Sequence, residues 1–209
     1  MIRYILFDLD CTLYSVHLGL GDFFKQKLWE YVSTWLGLSV EECKPLLRDG
    51  LTRHGTSLEW LVEEKGFTAI DDYLVYLHPE NEADFLSPDP ELRRFLEALP
   101  CPCSVLTNSP YFHAERIIKK LELEGIFQHV FSLEANTGHK GKPHSSAFQR
   151  ALDVLALAPE EVLFIDDIPR YVEGYLTIGG KGLLLDERGI YTDYPHERIT
   201  NLQELTRFL

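Results

Sequence analysis

The sequence predicts an α/β protein: a Rossmann-like parallel sheet with an all-helical segment inserted after its first strand. Three observations lead there. Short apolar runs recur along the 209 residues, most of them continuous, not alternating, as burial on both faces of a sheet requires. Helical stretches with recognisable ends separate the later runs, and such alternation builds a layered α/β core. The connection from Thr12 to Cys101 is far longer than an ordinary loop of an α/β unit, and it carries helical patterns of its own.

Five runs read as strands: Arg3 to Phe7, Cys103 to Leu106, Gln128 to Ser132, Val162 to Ile165 and Gly182 to Leu185. In the long connection, Phe23, Phe24, Leu28, Tyr31, Val32, Trp35 and Leu36 fall on one helical stripe. Ser39 with Glu42, and Thr56 with Glu59, are capping-box pairs that open two further helices. Thr68 is placed to cap a fourth, running to about Leu77. Pro88 and Pro90, among acidic residues, mark the return to the sheet. Residues 14–86 are therefore expected to form a helical cap, and residues 1–13 with 87–209 the core.

In the core, Ser109 followed by Pro110 predicts an N-cap with proline at the first helical position, the helix ending near Leu123. A helix is expected from Ser145 to Leu157, before Pro159. Another should follow Pro169 and stop near Gly179-Gly180. The stretch from Asn201 to Leu209 reads as a short docking helix capped by Asn201.

Composition narrows the function. A formal net charge of −13 repels nucleic acid from most of the surface, yet permits capture of a small anion by a local positive cluster and a metal. No run of 18 or more apolar residues is present to span a bilayer. The opening Met1 to Asp8 lacks the regions of a signal peptide, which leads to the expectation of a cytoplasmic protein. Cys11, Cys43, Cys101 and Cys103 match neither a zinc ribbon nor a redox pair, and read as reduced thiols. The eight histidines show no shared metal spacing and read as surface or cap residues.

Acidic and hydroxyl residues stand where three strands run out: Asp8-Leu9-Asp10-Cys11-Thr12, Thr107-Asn108-Ser109, and Asp166-Asp167. In open parallel sheets ligands bind at the carboxyl ends of strands, so these groups should converge. Four carboxylates in a partly dry crevice repel one another, and a hard cation such as Mg²⁺ relieves that repulsion while keeping positions for water and phosphate. Asp8 and Asp10, two apart, point to the same side of an extended segment. One can attack phosphorus while the other moves protons.

These residues resemble the haloacid dehalogenase-like superfamily of phosphohydrolases. Phe7-Asp8-Leu9-Asp10-Cys11-Thr12-Leu13-Tyr14 is similar to the first motif and Leu106-Thr107-Asn108-Ser109 to the second. Gly141-Lys142-Pro143-His144 with Phe148 resembles the third, and Phe164-Ile165-Asp166-Asp167 the fourth. The resemblance implies a nucleophile and metal ligand in Asp8, and an acid/base and main-chain ligand in Asp10. Thr107 and the backbone of Asn108 would hold the phosphate, Lys142 would neutralise it together with Asp8, and Asp167, aided by Asp166, would bind Mg²⁺. Plainer readings exist: an Asx turn for the two aspartates, and a solvated surface residue for Lys142, with Lys140 as its rival. Cys11 stands where the family often has asparagine or glycine and reads as a structural bystander, the alternative being a thiol beside the nucleophile that makes the enzyme oxidant-sensitive. Ile168 and Tyr171 likewise replace the family's small polar residue and asparagine.

Within the superfamily the pattern resembles pyrimidine 5′-nucleotidases, through the opening motif and Asp49-Gly50-Leu51-Thr52-Arg53-His54-Gly55. That resemblance points to Tyr14, Arg53 and His54 as substrate contacts, with Arg48 and Trp60 as further candidates. The expected activity is a Mg²⁺-dependent phosphatase acting on a small phosphate monoester through a phospho-aspartyl intermediate, with neither nucleic acid nor membrane as partner. The alternatives are a phosphomutase or phosphotransferase, which differs only in what attacks the acyl phosphate, and a non-catalytic regulatory module. A haloacid dehalogenase would leave Asp10, Asp166 and Asp167 without a task.

Overall fold

The computed structural model describes residues 1–135 and 139–209. Six parallel strands form one sheet in the order β3-β2-β1-β4-β5-β6. They are β1 (Tyr4–Phe7), β2 (Cys103–Leu106), β3 (Val130–Phe131), β4 (Val162–Asp166), β5 (Lys181–Leu185) and β6 (Arg198–Ile199). β1 lies between β2 and β4, with Phe7 opposite both Val105 and Ile165.

The helices are α1 (Leu20–Leu36), α2 (Val40–His54), α3 (Ser57–Lys65), α4 (Ile70–Leu77), α5 (Pro90–Glu97), α6 (Tyr111–Lys120), α7 (Ser145–Leu155) and α8 (Pro169–Thr177). The continuous apolar strands are explained by the two layers they feed. Ile5 and Phe7 join Val105, Ile165, Ala114 and Ile117 on one face of the sheet. Tyr4 and Leu6 join Phe148, Phe164 and Tyr175 on the other.

Helices α1 to α4 occupy most of the long connection between β1 and β2 and build an apolar cluster around Val32, Leu47, Trp60 and Tyr73, which Leu133 and Phe112 join from beside the sheet. Gly50 lets α2 lie directly against the Trp60 ring; a Cβ there would sit 2.4 Å from it. Ser39 and Glu42 form the expected capping box of α2, and Thr56 accepts the Glu59 N–H at the start of α3. Core residues grip this layer: Arg170 donates to the carbonyls of Leu51 and Gly55, and His144 Nε2 lies 2.9 Å from the His54 carbonyl.

Several expected elements come out differently. The strand expected over Gln128–Ser132 contracts to Val130–Phe131, since only those residues pair with β2. Pro90 does more than mark a return: Asp89 accepts the N–H groups of Glu91 and Leu92, making Asp89-Pro90 the start of α5. Pro110, not Ser109, occupies the N-cap position of α6, because the Ser109 hydroxyl is committed to Asp10. Ala69, not Thr68, precedes α4. Asn201 makes no side-chain cap, and a 3-10 helix follows it over Leu202–Phe208. The sixth strand, β6, is two residues long and too short to show a pattern in sequence. Among the described residues no helix is long and apolar enough to cross a membrane.

Candidate active site

Parallel pairing of β1 with both neighbours brings the ends of three strands to one level. Asp8 follows β1, its N–H bonded to the Ile165 carbonyl at 2.8 Å. Thr107 follows β2, and Asp166 ends β4 with Asp167 next in the chain. Asp8 and Asp166 are buried, and so is Lys142, at 1 % exposure. The Lys142 Nζ lies 2.5 Å from Asp8 Oδ1 and 2.6 Å from Asp166 Oδ2. Burial alone would strip this lysine of its proton, but the charges of Asp166 and Asp8 outweigh it and hold the pKa above the usual lysine range. The rings of Tyr171 and Phe164 stand 5.2 and 5.4 Å from the same nitrogen, so Tyr171, a departure from the family pattern, contributes a cation–π face.

The lysine is aimed by its backbone. Asn108 Oδ1 accepts the Lys142 N–H at 2.7 Å, and Asn108 Nδ2 donates to the Lys142 carbonyl at 2.9 Å. Gly141 makes this approach possible, since a Cβ there would lie 2.3 Å from Asn108 Oδ1. The rival, Lys140, points elsewhere and pairs with Glu63 at 3.5 Å. Thr12 donates to Asp8 Oδ2 at 3.2 Å, and Thr107 Oγ1 accepts the Ser109 N–H at 3.0 Å.

One ammonium cannot balance three carboxylates. Asp8, Asp166 and Asp167 each offer an oxygen within 4.8 Å of the others. Burial, with the charges of Asp166 and Asp8, pushes Asp167 up to about 9. Burial also raises Asp8 to about 7, although Lys142 opposes it. Groups so placed hold protons in default of another cation. An all-oxygen donor set with surplus negative charge fits Mg²⁺.

Asp10 does not join that cluster. Its Oδ1 accepts from Tyr14 Oη at 2.7 Å and lies 2.8 Å from His113 Nε2, while its Oδ2 accepts from Ser109 at 2.7 Å. Burial would raise its pKa, but the His113 charge and these donors hold the carboxyl well below the usual range. Next in the chain after Asp10, Cys11 takes a left-handed backbone, φ 59°, the conformation that asparagine and glycine tolerate best. Burial and the charges of Asp167, Asp10 and Asp8 push the Cys11 thiol far up, which favours the bystander reading over oxidant sensitivity.

The substrate candidates scatter. Tyr14 serves Asp10. Arg53 pairs with Asp49 and Glu64, and His54 Nε2 lies 2.6 Å from Glu64. Arg48 is exposed and Trp60 is buried, its Nε1 bonded to Glu64 at 3.1 Å. A cavity of about 320 Å³ does lie between the helical layer and the sheet, bordered by Asn108, Ser109, Phe24, Tyr73 and Tyr171. One histidine corrects the expectation of surface or cap roles: His113, on α6, is fully buried against Asp10, while His78, within residues 14–86, is buried beside Glu82. The one sequence signal for His113 was its place one helical turn beyond Ser109.

Solved structures share this arrangement of chain. A haloacid dehalogenase-superfamily phosphatase from Thermococcus onnurineus superposes with a TM-score of 0.68 at 20% identity, over 99% of this chain and 97% of that one. The L-2-haloacid dehalogenase of Xanthobacter autotrophicus gives 0.62 at 16% identity, over 100% and 98%. The Bacillus subtilis protein YfnB, solved bound to magnesium, gives 0.62 at 15% identity, over 100% and 98%. At such identities the likeness is one of fold. Sequence carries it further, because residues 2–174 match the haloacid dehalogenase-like hydrolases, a span holding every strand-end carboxylate described above, and the chain belongs to that family.

Proposed function

We propose that this hydrolase is a Mg²⁺-dependent phosphatase that forms a phospho-aspartyl intermediate on Asp8. The observation that carries the reading is the surplus of buried carboxylate around a single lysine. A halide leaving group requires neither a cation nor a proton donor, whereas phosphoryl transfer from an alkyl ester calls for both. Asp8, Asp166 and Asp167 would hold the metal, which when bound supplies charge neutralisation at the phosphoryl oxygens.

Asp8 Oδ attacks phosphorus and the bond from phosphorus to the leaving oxygen breaks. The negative charge of the bound ester raises the Asp10 carboxyl from its low resting range, and the protonated Asp10 gives that oxygen a proton and is left as a carboxylate. Water then attacks the same phosphorus, the bond to Asp8 breaks, and Asp10 takes the water's proton as phosphate departs. Lys142, held between Asp8 and Asp166, offsets charge throughout. Thr107 and the Asn108 backbone, just past the end of β2, would hold the phosphate.

For the substrate we favour a pyrimidine nucleoside 5′-monophosphate. The cavity beside Asn108 and Ser109 presents the rings of Phe24, Tyr73 and Tyr171 together with the polar groups of Lys25, Thr56 and Ser57. Such walls suit a flat base with a polar edge. Residues 14–86 act as the cap that closes over it. Phosphate release from a panel of monoesters, with Mg²⁺ and with EDTA, tests both parts. Mg²⁺-dependent turnover led by UMP and CMP is the expected result, and Asp8→Asn should lower it by about 10³-fold or more with the fold intact. Residual activity within tenfold of wild type would sink Asp8 as nucleophile, and activity indifferent to EDTA would overturn the metal.

A further inference from the structure

A second buried polar cluster stands behind the first. His113, fully buried on α6, has Nε2 2.8 Å from Asp10 Oδ1, while its Nδ1 lies 2.9 Å from Glu82 Oε1, an ion-pair contact and not an aligned hydrogen bond. Glu82 is itself fully buried, receives Arg116, and lies 3.1 Å from His78 Nδ1 through Oε2. His78, Glu82 and His113 are spaced as metal ligands are. Yet with Arg116 and a charged His113 against Glu82 and Asp10, two cations already face two anions. The cluster is complete as it stands.

Its position in the chain is informative. Glu82 lies in the segment that returns from the helical layer, in a 3-10 turn over Glu80–Phe85, and Tyr14 lies in the segment that leaves for it. Asp10 is thus tied to both connecting segments at once, by Tyr14 directly and by Glu82 through His113. Without the imidazole, only two hydroxyls would hold a carboxylate that must meet the leaving oxygen. We propose that His113 and Glu82 are positioning residues for the phosphoryl transfer inferred above, fixing the Asp10 carboxylate through the His113 bridge. The inference rests on that reading of the reaction.

A positioning role for the proton donor has a signature that a loss of packing lacks: it depends on the leaving group. An aryl ester such as 4-nitrophenyl phosphate expels an oxygen that needs no proton, whereas an alkyl ester needs one. The test is kcat/KM for both esters in wild type, His113→Ala, His113→Gln and Glu82→Gln, with thermal unfolding measured alongside. His113→Ala should lose about 10²-fold on the alkyl ester and several-fold less on the aryl ester. His113→Gln, whose amide nitrogen falls near the place of Nε2, should recover part of the loss, and Glu82→Gln should show the same selectivity in smaller degree. If His113→Ala does not fold, the Gln variants decide. Equal losses on both esters, or none, would overturn the positioning role while leaving the phosphatase reading in place. A wild-type chain that hydrolyses neither ester would remove that reading and this inference together.

Discussion

Two largely buried clusters of carboxylates meet at the mouth of this sheet, and they are built on opposite principles. Around Asp8, three carboxylates share the single ammonium of Lys142. Around Asp10, two carboxylates face His113 and Arg116, and the charges cancel. A buried surplus of charge costs stability, so it persists where a ligand is meant to complete it. A balanced network rigidifies what it holds. On the proposed reaction the first cluster takes a cation and a phosphoryl group, and the second supports it.

The comparison breaks most visibly at Lys142. Lys142→Met leaves three carboxylates with no cation among them and should cost about 3 kcal/mol or more of stability, read as a fall in Tm. A variant as stable as wild type would mean the carboxylates were never strained. Asp167→Asn should act in the opposite sense. It removes part of the surplus, so the metal-free protein should gain roughly 1 kcal/mol, or about 2–4 °C in Tm, while losing both the stabilisation by Mg²⁺ and the turnover. Such an exchange of function for stability is expected where a strained site serves chemistry. A variant that still responds to Mg²⁺ like wild type would take Asp167 out of the metal site. The smallest expected effect is at the thiols. Iodoacetamide should label Cys101, the one cysteine that is not buried, and leave activity unchanged, because Cys11 is shielded and its thiol kept protonated. Inactivation that tracks modification of Cys11 would contradict this.

How much of this was legible in the sequence divides along the same line. The surplus cluster was, because each of its carboxylates stands at the end of a continuous apolar strand, and a parallel sheet has no choice but to bring such ends together. Lys142 was legible through its motif, though not the bidentate clasp of Asn108 that aims it. The balanced cluster was not. Glu82 and His113 are 31 positions apart by number, joined only by the way the returning segment packs on α6, and a buried histidine on a helix looks in sequence like any other. The cap candidates were hard to read for a related reason: Arg53 and His54 carry attractive chemistry, but their pairing with Asp49, Glu63 and Glu64 depends on how α2 packs on α3. Short elements such as β6 and the start of α5 were lost because two residues or a lone Asp-Pro step carry too little pattern.

The central claim is that Asp8 takes a phosphoryl group in a site that a magnesium ion completes. Beryllium fluoride, which mimics a phosphoryl group on a carboxylate, tests it without knowledge of the substrate. Thermal unfolding of wild type and Asp8→Asn, with Mg²⁺, beryllium fluoride, or both, should show a joint stabilisation of wild type larger than the two separate ones combined, and none in the variant. Stabilisation that ignores Mg²⁺, or that survives intact in Asp8→Asn, would contradict the account.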